Sequence, residues 1–159
     1  MSLSLEDEMM DKEYRYTASG LDNVILVGLK ECVDDHGEIC ITIPRVNKLH
    51  EAIAMSILTR RGGMTGPELK FLRTLMGFTQ AEMGKIVNRE ALTIGRWERG
   101  EFENDPNAEA IIRLVAAERL QLKLNAPIED VTGWCFQTAD KPAIRIDASN
   151  PDNYRPLAA

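Results

Sequence analysis

Two capping boxes, Thr65-Gly-Pro-Glu68 and Thr79-Gln-Ala-Glu82, constrain this chain more than any other feature of it. In each, a threonine hydroxyl and a glutamate three residues on satisfy each other's exposed backbone amides, so two helices begin at known residues. Met64 against Leu69 and Phe78 against Met83 supply the hydrophobic staples that go with such starts. Gly77 follows Leu72, Leu75 and Met76 as a left-handed terminator, and Asn88, the usual substitute for glycine there, ends a second helix over about Gln80 to Val87. A third helix follows almost at once and stops at Gly100. Its Ile94 and Trp97 lie three apart and are predicted to face Met83 and Val87, four apart on the second helix. Gly84 is predicted to let the third helix cross the second closely, which accounts for a glycine that otherwise costs a helix interior about 1 kcal/mol. Asp105 as cap and Pro106 at the first position then open a longer helix running through Leu124.

The 159 residues, 44% hydrophobic and 28% charged, suit one compact domain with appendages or two small ones. The longest apolar run near the start is Val24 to Val27, whereas a membrane span takes about 20 residues. Glu6, Asp7, Glu8 and Asp11 are wrong for a secretory leader. Cys32, Cys40 and Cys135 are too few, and odd in number, for a disulfide framework. A cytoplasmic protein with no membrane contact is expected. The net charge of −6 is unevenly divided: residues 1–44 carry ten acidic and three basic side chains, 45–99 five and ten, 100–159 ten and six. Local field rather than total charge steers a polyanion, so the cationic middle marks an anion-seeking segment.

The expected organisation is a flexible N-terminus over 1–13, a β-hairpin plus helix unit over 14–62, the helical domain over 64–125, a short β extension over 126–146 and a flexible tail over 147–159. In the first unit a β-prone run from Asn23 to Val33 meets Glu38 to Ile43 across the turn-forming Asp34-Asp-His-Gly37. A three-residue loop Asp35-His36-Gly37 pairs Val33 with Ile39 and sets Cys32 opposite Cys40. That register puts Leu29, Val33, Ile39, Ile41 and Ile43 on one face, and Leu49, Ile53 and Ile57 recur at the spacing of a helix predicted to cover it.

Two short helices joined by a three- to four-residue turn form the unit that places a helix in the DNA major groove. The run from Phe78 to Gly100 resembles the helix-turn-helix of the phage-repressor (Cro-like, XRE) family along its whole length. Thr79-Gln80, Glu82, Thr93-Ile94 and the ending Arg96-Trp-Glu-Arg-Gly100 are the specific matches. Tyr16 to Val24, Leu49 to Ile53 and the Leu69 to Gly77 helix extend the resemblance to the MqsA-type antitoxin group, over about residues 14–124. The fold implied is mainly α: a phage-repressor-like helix-turn-helix bundle with a small N-terminal β-hairpin plus helix and a short C-terminal β extension. The function implied is a sequence-specific repressor, homodimeric and antitoxin-like, that binds double-stranded DNA, autoregulates its own operon and has a possible toxin partner. In that group the N-terminal unit often holds a four-cysteine zinc site, but no Cys-x-x-Cys pair exists here. Glu90 stands where the family usually caps the recognition helix with Ser or Thr, and Arg89 where an apolar residue usually packs.

Arg96, one turn inside the third helix and away from Trp97, is the expected base reader, since its fork matches guanine O6 and N7. Ala91, Leu92 and Thr93 at the start of that helix can meet thymine methyls, Leu92 equally a dimer partner, and Glu90 can accept from a cytosine amino group. Thr79 and Gln80, beside the free amides of the second helix, together with Lys85, Arg89 and Arg99, are the expected phosphate contacts. Cys32, His36 and Cys40 are weak metal candidates, one ligand short of a structural zinc site unless His50 or Cys135 completes it, so no cofactor is expected. An enzyme is not expected, because only His36 and His50 could serve as imidazole bases and no nucleophile sits in an activating context. The alternative function is a protein-interaction module whose acidic N-terminal unit binds a basic partner, with the helices as scaffold.

Overall fold

The computed structural model describes residues 12–139 and 141–157, a mixed α/β chain of six helices and two small sheets among those residues. Two compact units divide it: the segment up to Ile53 joined by the chain from Pro142 onward, and Ala54–Lys141. The division falls inside a helix. The expectation of a flexible 1–13 lies almost entirely outside the described residues. No described helix is long and apolar enough to cross a membrane.

The first unit is built on a four-stranded sheet. β1 (Glu13–Arg15) runs antiparallel to β2 (Val24–Val27), which pairs in parallel with β5 (Ile144–Asp147), which in turn takes β6 (Arg155–Pro156) antiparallel on its other side. β2 reads Val-Ile-Leu-Val with almost no alternation, as a strand with neighbours on both sides and a parallel partner should. Val24, Leu26, Ile144 and Ile146 lie at the heart of this core with Leu21, Leu49 and Ile53. Pro156, which can donate nothing to a ladder, sits on the edge strand β6.

Two expectations are corrected here. The strand expected in the last part of the 126–146 extension forms as β5, but inside the first unit's sheet, and the chain over 147–157, read as a flexible tail, supplies β6 and buries Tyr154, whose hydroxyl donates to the Pro44 carbonyl at 2.5 Å. The run from Asn23 to Val33 is not one strand either. Gly28, at φ +83°, turns the chain and ends β2, and a separate hairpin of β3 (Glu31–Val33) and β4 (Ile39–Ile41) follows. That hairpin has the expected loop and register, with Gly37 left-handed at φ +80° and Cys32 opposite Cys40. Among the described residues no helix covers its apolar face: Val33 and Ile39 are 68% and 70% exposed. The helix α1 (Val46–Thr59) instead buries Leu49 and Ile53, while its His50 Nε2 meets the Tyr16 hydroxyl at 2.9 Å.

The second unit holds the end of α1 and α2 (Gly66–Met76), α3 (Gln80–Val87), α4 (Ala91–Glu98), α5 (Pro106–Arg119) and α6 (Ile128–Gly133). Both capping boxes form. Thr65 and Thr79 accept from the amides of Glu68 and Glu82, and both carboxylates return the bond. Gly77 at φ +78° and Asn88 at φ +56° terminate α2 and α3 in the left-handed region. Met83, Val87, Ile94 and Trp97 are all in the core. α5 ends at Arg119 rather than reaching Leu124, because Gln121 turns left-handed at φ +55° and the Leu122 amide closes back on the Ala117 carbonyl. Of the residues expected to form an extension over 126–146, the first stretch is α6, and the Trp134 and Phe136 carbonyls accept from the Gly62 and Gly63 amides without forming a strand.

Buried polar groups in this core are paired, with Arg113 Nε the exception among the described residues. Glu68 lies at 0% exposure and takes a two-pronged bond from Arg60, at 2.7 and 2.6 Å, besides its box with Thr65. Burial is the largest single influence on its carboxyl and pushes it up, but the bonds from Arg60 and Thr65 together outweigh burial and hold it below the usual carboxylate range. A depressed folded-state pKa contributes stability that is complete above the unfolded value of about 4.3 and is lost as pH falls through the folded value. Acid titration of the urea midpoint should therefore show a steeper fall below pH ~4 for the native chain than for Glu68→Gln; parallel curves would contradict this pairing.

Candidate nucleic-acid interface

Why α3 and α4 sit as they do follows from three glycines. A Cβ on Gly84 would lie 2.4 Å from the Arg89 carbonyl oxygen, so what this glycine admits is the backbone of the turn before α4 rather than α4 itself, a correction to the crossing expected from sequence. The Arg89 amide closes on the Gly84 carbonyl at 2.8 Å, and only Asn88, Arg89 and Glu90 separate the two helices. A Cβ on Gly66 would meet the Trp97 and Glu98 carbonyls at 2.5 and 2.4 Å, so the amino end of α2 is pressed against the carboxyl end of α4, where the two helix dipoles attract. Gly95 leaves room for the Gln80 amide, which a Cβ would meet at 3.3 Å.

Glu98 ties these helices together. Only 8% exposed, it accepts from Arg73 Nε at 2.5 Å and Nη2 at 3.2 Å and from Gln80 Nε2 at 3.0 Å. Arg73 also donates to the Phe78 carbonyl at 2.8 Å. This buried bracket holds α2, α3 and α4 as one body, and sequence reading missed it. A glycine in the middle of short α4 was the available signal, since it implies a neighbour close to the helix axis.

Against that frame α4 turns Leu92 and Arg96 outward. Leu92 is 56% exposed, the Arg96 side chain 46%, and Ala91 and Thr93 are half-buried at the start of the helix. Arg96 lies 4.0 Å from Glu101 and its guanidinium 5.9 Å over the exposed Phe102 ring. Glu90 occupies the cap position with extended backbone and makes no side-chain capping bond, as a long acidic side chain should fail to do. Glu90→Ser is expected to raise the urea unfolding free energy by about 0.5–1 kcal/mol by capping α4. A loss of stability instead would mean that Glu90 has another structural task.

No family model, curated protein or solved structure matches the chain. What the surface can bind is therefore a question for its own chemistry.

The cations around α4 are exposed and only loosely engaged. Arg89 bonds Asp105 at 2.8 Å and Arg99 bonds Glu101 at 2.7 Å, both at the surface, and Lys85 is exposed on α3. Exposed pairs of this kind are weak and exchange readily for another anion. Glu101 is held below the usual carboxylate range first by its bond from Arg99, so it stays ionised between two arginines. Thr79 is exposed at the start of α3, whereas the Gln80 side chain is engaged with Glu98, which leaves its backbone amide as the part able to meet a phosphate.

Of the metal candidates, the hairpin brings Cys32 and Cys40 together, Sγ to Sγ 2.7 Å. His36 is in the exposed loop with its amide on the Asp34 carboxylate, and among the described residues no three His, Cys, Asp or Glu side chains converge on one point. Cys135 is buried in the other unit, and burial pushes its thiol up to about 12.

Proposed function

We propose that this chain is a sequence-specific DNA-binding repressor, homodimeric and antitoxin-like, in which α3 and α4 form a phage-repressor-like helix-turn-helix and α4 enters the major groove. The observation that carries the reading is the outward face of α4: Leu92 and Arg96 are exposed on a helix whose opposite face, Ile94 and Trp97, is anchored in the core. Arg89 on the turn, Arg99 at the end of α4 and Lys85 on α3 are exposed and would meet flanking phosphates, and the free amides at the start of α3 suit another. Arg96 reads a base edge, Ala91, Leu92 and Thr93 meet thymine methyls, and Glu90 accepts from cytosine. One such helix reads only a few base pairs, so two copies on half-sites about 34 Å apart are needed. Ile111, Leu114 and Val115 on α5, partly exposed at helical spacing, offer a strip on which a second copy can dock.

The test is fluorescence anisotropy of the full chain against a duplex from upstream of its own coding region and a scrambled duplex, over a series of salt concentrations. Preference for the upstream duplex by about a thousandfold or more, with affinity falling steeply in salt, is expected. Equal binding to both duplexes, or a monomer by light scattering when bound, would sink the proposal.

A second reading concerns the other unit. The exposed apolar pair Val33 and Ile39 is rimmed by Glu31, Asp34, Asp35 and Glu38, a surface suited to a basic protein partner such as a toxin.

A further inference from the structure

We infer that Cys32 and Cys40 form a redox-modified dithiol, oxidised by a hydroperoxide to an intramolecular disulfide across the β3–β4 hairpin. The two residues are directly opposite in the antiparallel register, where Cα atoms stand about 4.5–5.5 Å apart, within the range of about 4.4–6.8 Å that a disulfide takes. Their sulfurs are already 2.7 Å apart, against the ~2.05 Å of the bond itself, so oxidation asks for almost no movement of the backbone. The pair is open to solution, Cys32 exposed and Cys40 half-buried. Cys32 also lines a cleft of about 210 Å³ with Leu29, Thr42, Pro44 and Ala148, which gives a small oxidant a way to its sulfur. The host is a two-stranded ribbon with three-residue strands, a structure that gains little stability of its own and yields easily to a change in its covalent links.

The two sulfurs are not equivalent. Cys32 is exposed and lines the cleft, whereas Cys40 is half-buried, so Cys32 is the attacking sulfur. The Cys32 thiolate attacks the outer oxygen of the hydroperoxide, the O–O bond breaks, and the departing alkoxide takes up a proton and leaves as an alcohol. Cys32 is then a sulfenic acid. Cys40 Sγ attacks that sulfur, the S–O bond breaks as the S–S bond forms, and the expelled hydroxide leaves as water with the proton from Cys40. Two thiols and one hydroperoxide become one disulfide, one alcohol and one water, with two electrons passing from sulfur to oxygen. A dithiol reductant reverses the step by exchange. Cys135, buried with its thiol pushed up to about 12, is an internal control that this chemistry should leave untouched.

Intact-mass spectrometry of the full chain treated with hydrogen peroxide tests this. The native chain should lose two hydrogens, regain them with dithiothreitol, and give a Cys32–Cys40 crosslinked peptide on non-reducing digestion. Cys40→Ser should instead gain oxygen on Cys32, Cys32→Ser should lose the rapid reaction, and Cys135→Ser should behave as the native chain. Phenylarsine oxide should bind once to the reduced chain and not to either hairpin variant. Disulfide-linked dimers in place of the internal bridge, a crosslink through Cys135, or oxygen addition to the native chain without loss of hydrogen would each overturn the inference.

Discussion

Arg113→Ala is expected to lower the unfolding free energy by about 3–5 kcal/mol, which for a domain of this size is a large share of the total. Arg113 is fully buried on α5 and uses its guanidinium as a bracket for an irregular stretch of backbone. Its Nη1 donates to the carbonyls of Leu58 and Arg60 at 3.3 and 2.7 Å, and its Nη2 to the Gly62 carbonyl at 2.6 Å and to Glu109 at 3.2 Å. The other Glu109 oxygen takes the Met64 amide at 2.7 Å. Truncation strands a carboxylate at 1% exposure and leaves three carbonyls without their donor, and unpaired buried groups cost far more than the intact pair gains. Urea unfolding followed by circular dichroism measures the loss. Removing both charges together, as Arg113→Met with Glu109→Leu, should recover part of it, because no charge is then left alone. A single variant within about 1 kcal/mol of the native chain would mean that water reaches this site.

Arg96→Ala is expected to reduce the preference for the upstream duplex over a scrambled one by about 10- to 100-fold, the worth of roughly 1–3 kcal/mol for a lost two-pronged base contact. Urea stability should be unchanged, since the contacts of this exposed side chain among the described residues are with Glu101 and Phe102 at the surface. Arg96→Lys should not restore the preference, because an ammonium cannot reproduce the fork. Glu101→Gln should act oppositely and without regard to sequence, since it removes an anion that competes with phosphate for Arg96 and Arg99. If Arg96→Ala weakened both duplexes equally, Arg96 would be a phosphate contact and the base reader would lie elsewhere on α4.

How far these features were readable without coordinates depended on the range of the interactions behind them. The helix starts at Thr65, Thr79 and Asp105 and the stops at Gly77 and Asn88 are set by bonds within a few residues, and they were legible. The outward face of α4 was legible too, because Ile94 and Trp97 fix which side points inward. The sheet was not. β2 and β5 share no turn and no local periodicity, and nothing near Val24 says that its neighbour is Ile144. Glu109 and Arg113 went unnoticed for another reason: an acid and a base four apart on a helix carry no local sign of burial, yet here the pair faces the core to satisfy backbone from residues 58–64.

Because β5 and β6 come from the last part of the described chain, the ribosome finishes every residue of the helical unit before the sheet of the other unit can close. During synthesis β2 has only β1 beside it, and its Val-Ile-Leu-Val backbone is an open edge until Ile144 emerges. A nascent or prematurely stopped polypeptide thus carries a sticky, half-made sheet next to a finished helical body, which makes it a ready substrate for chaperones and proteases.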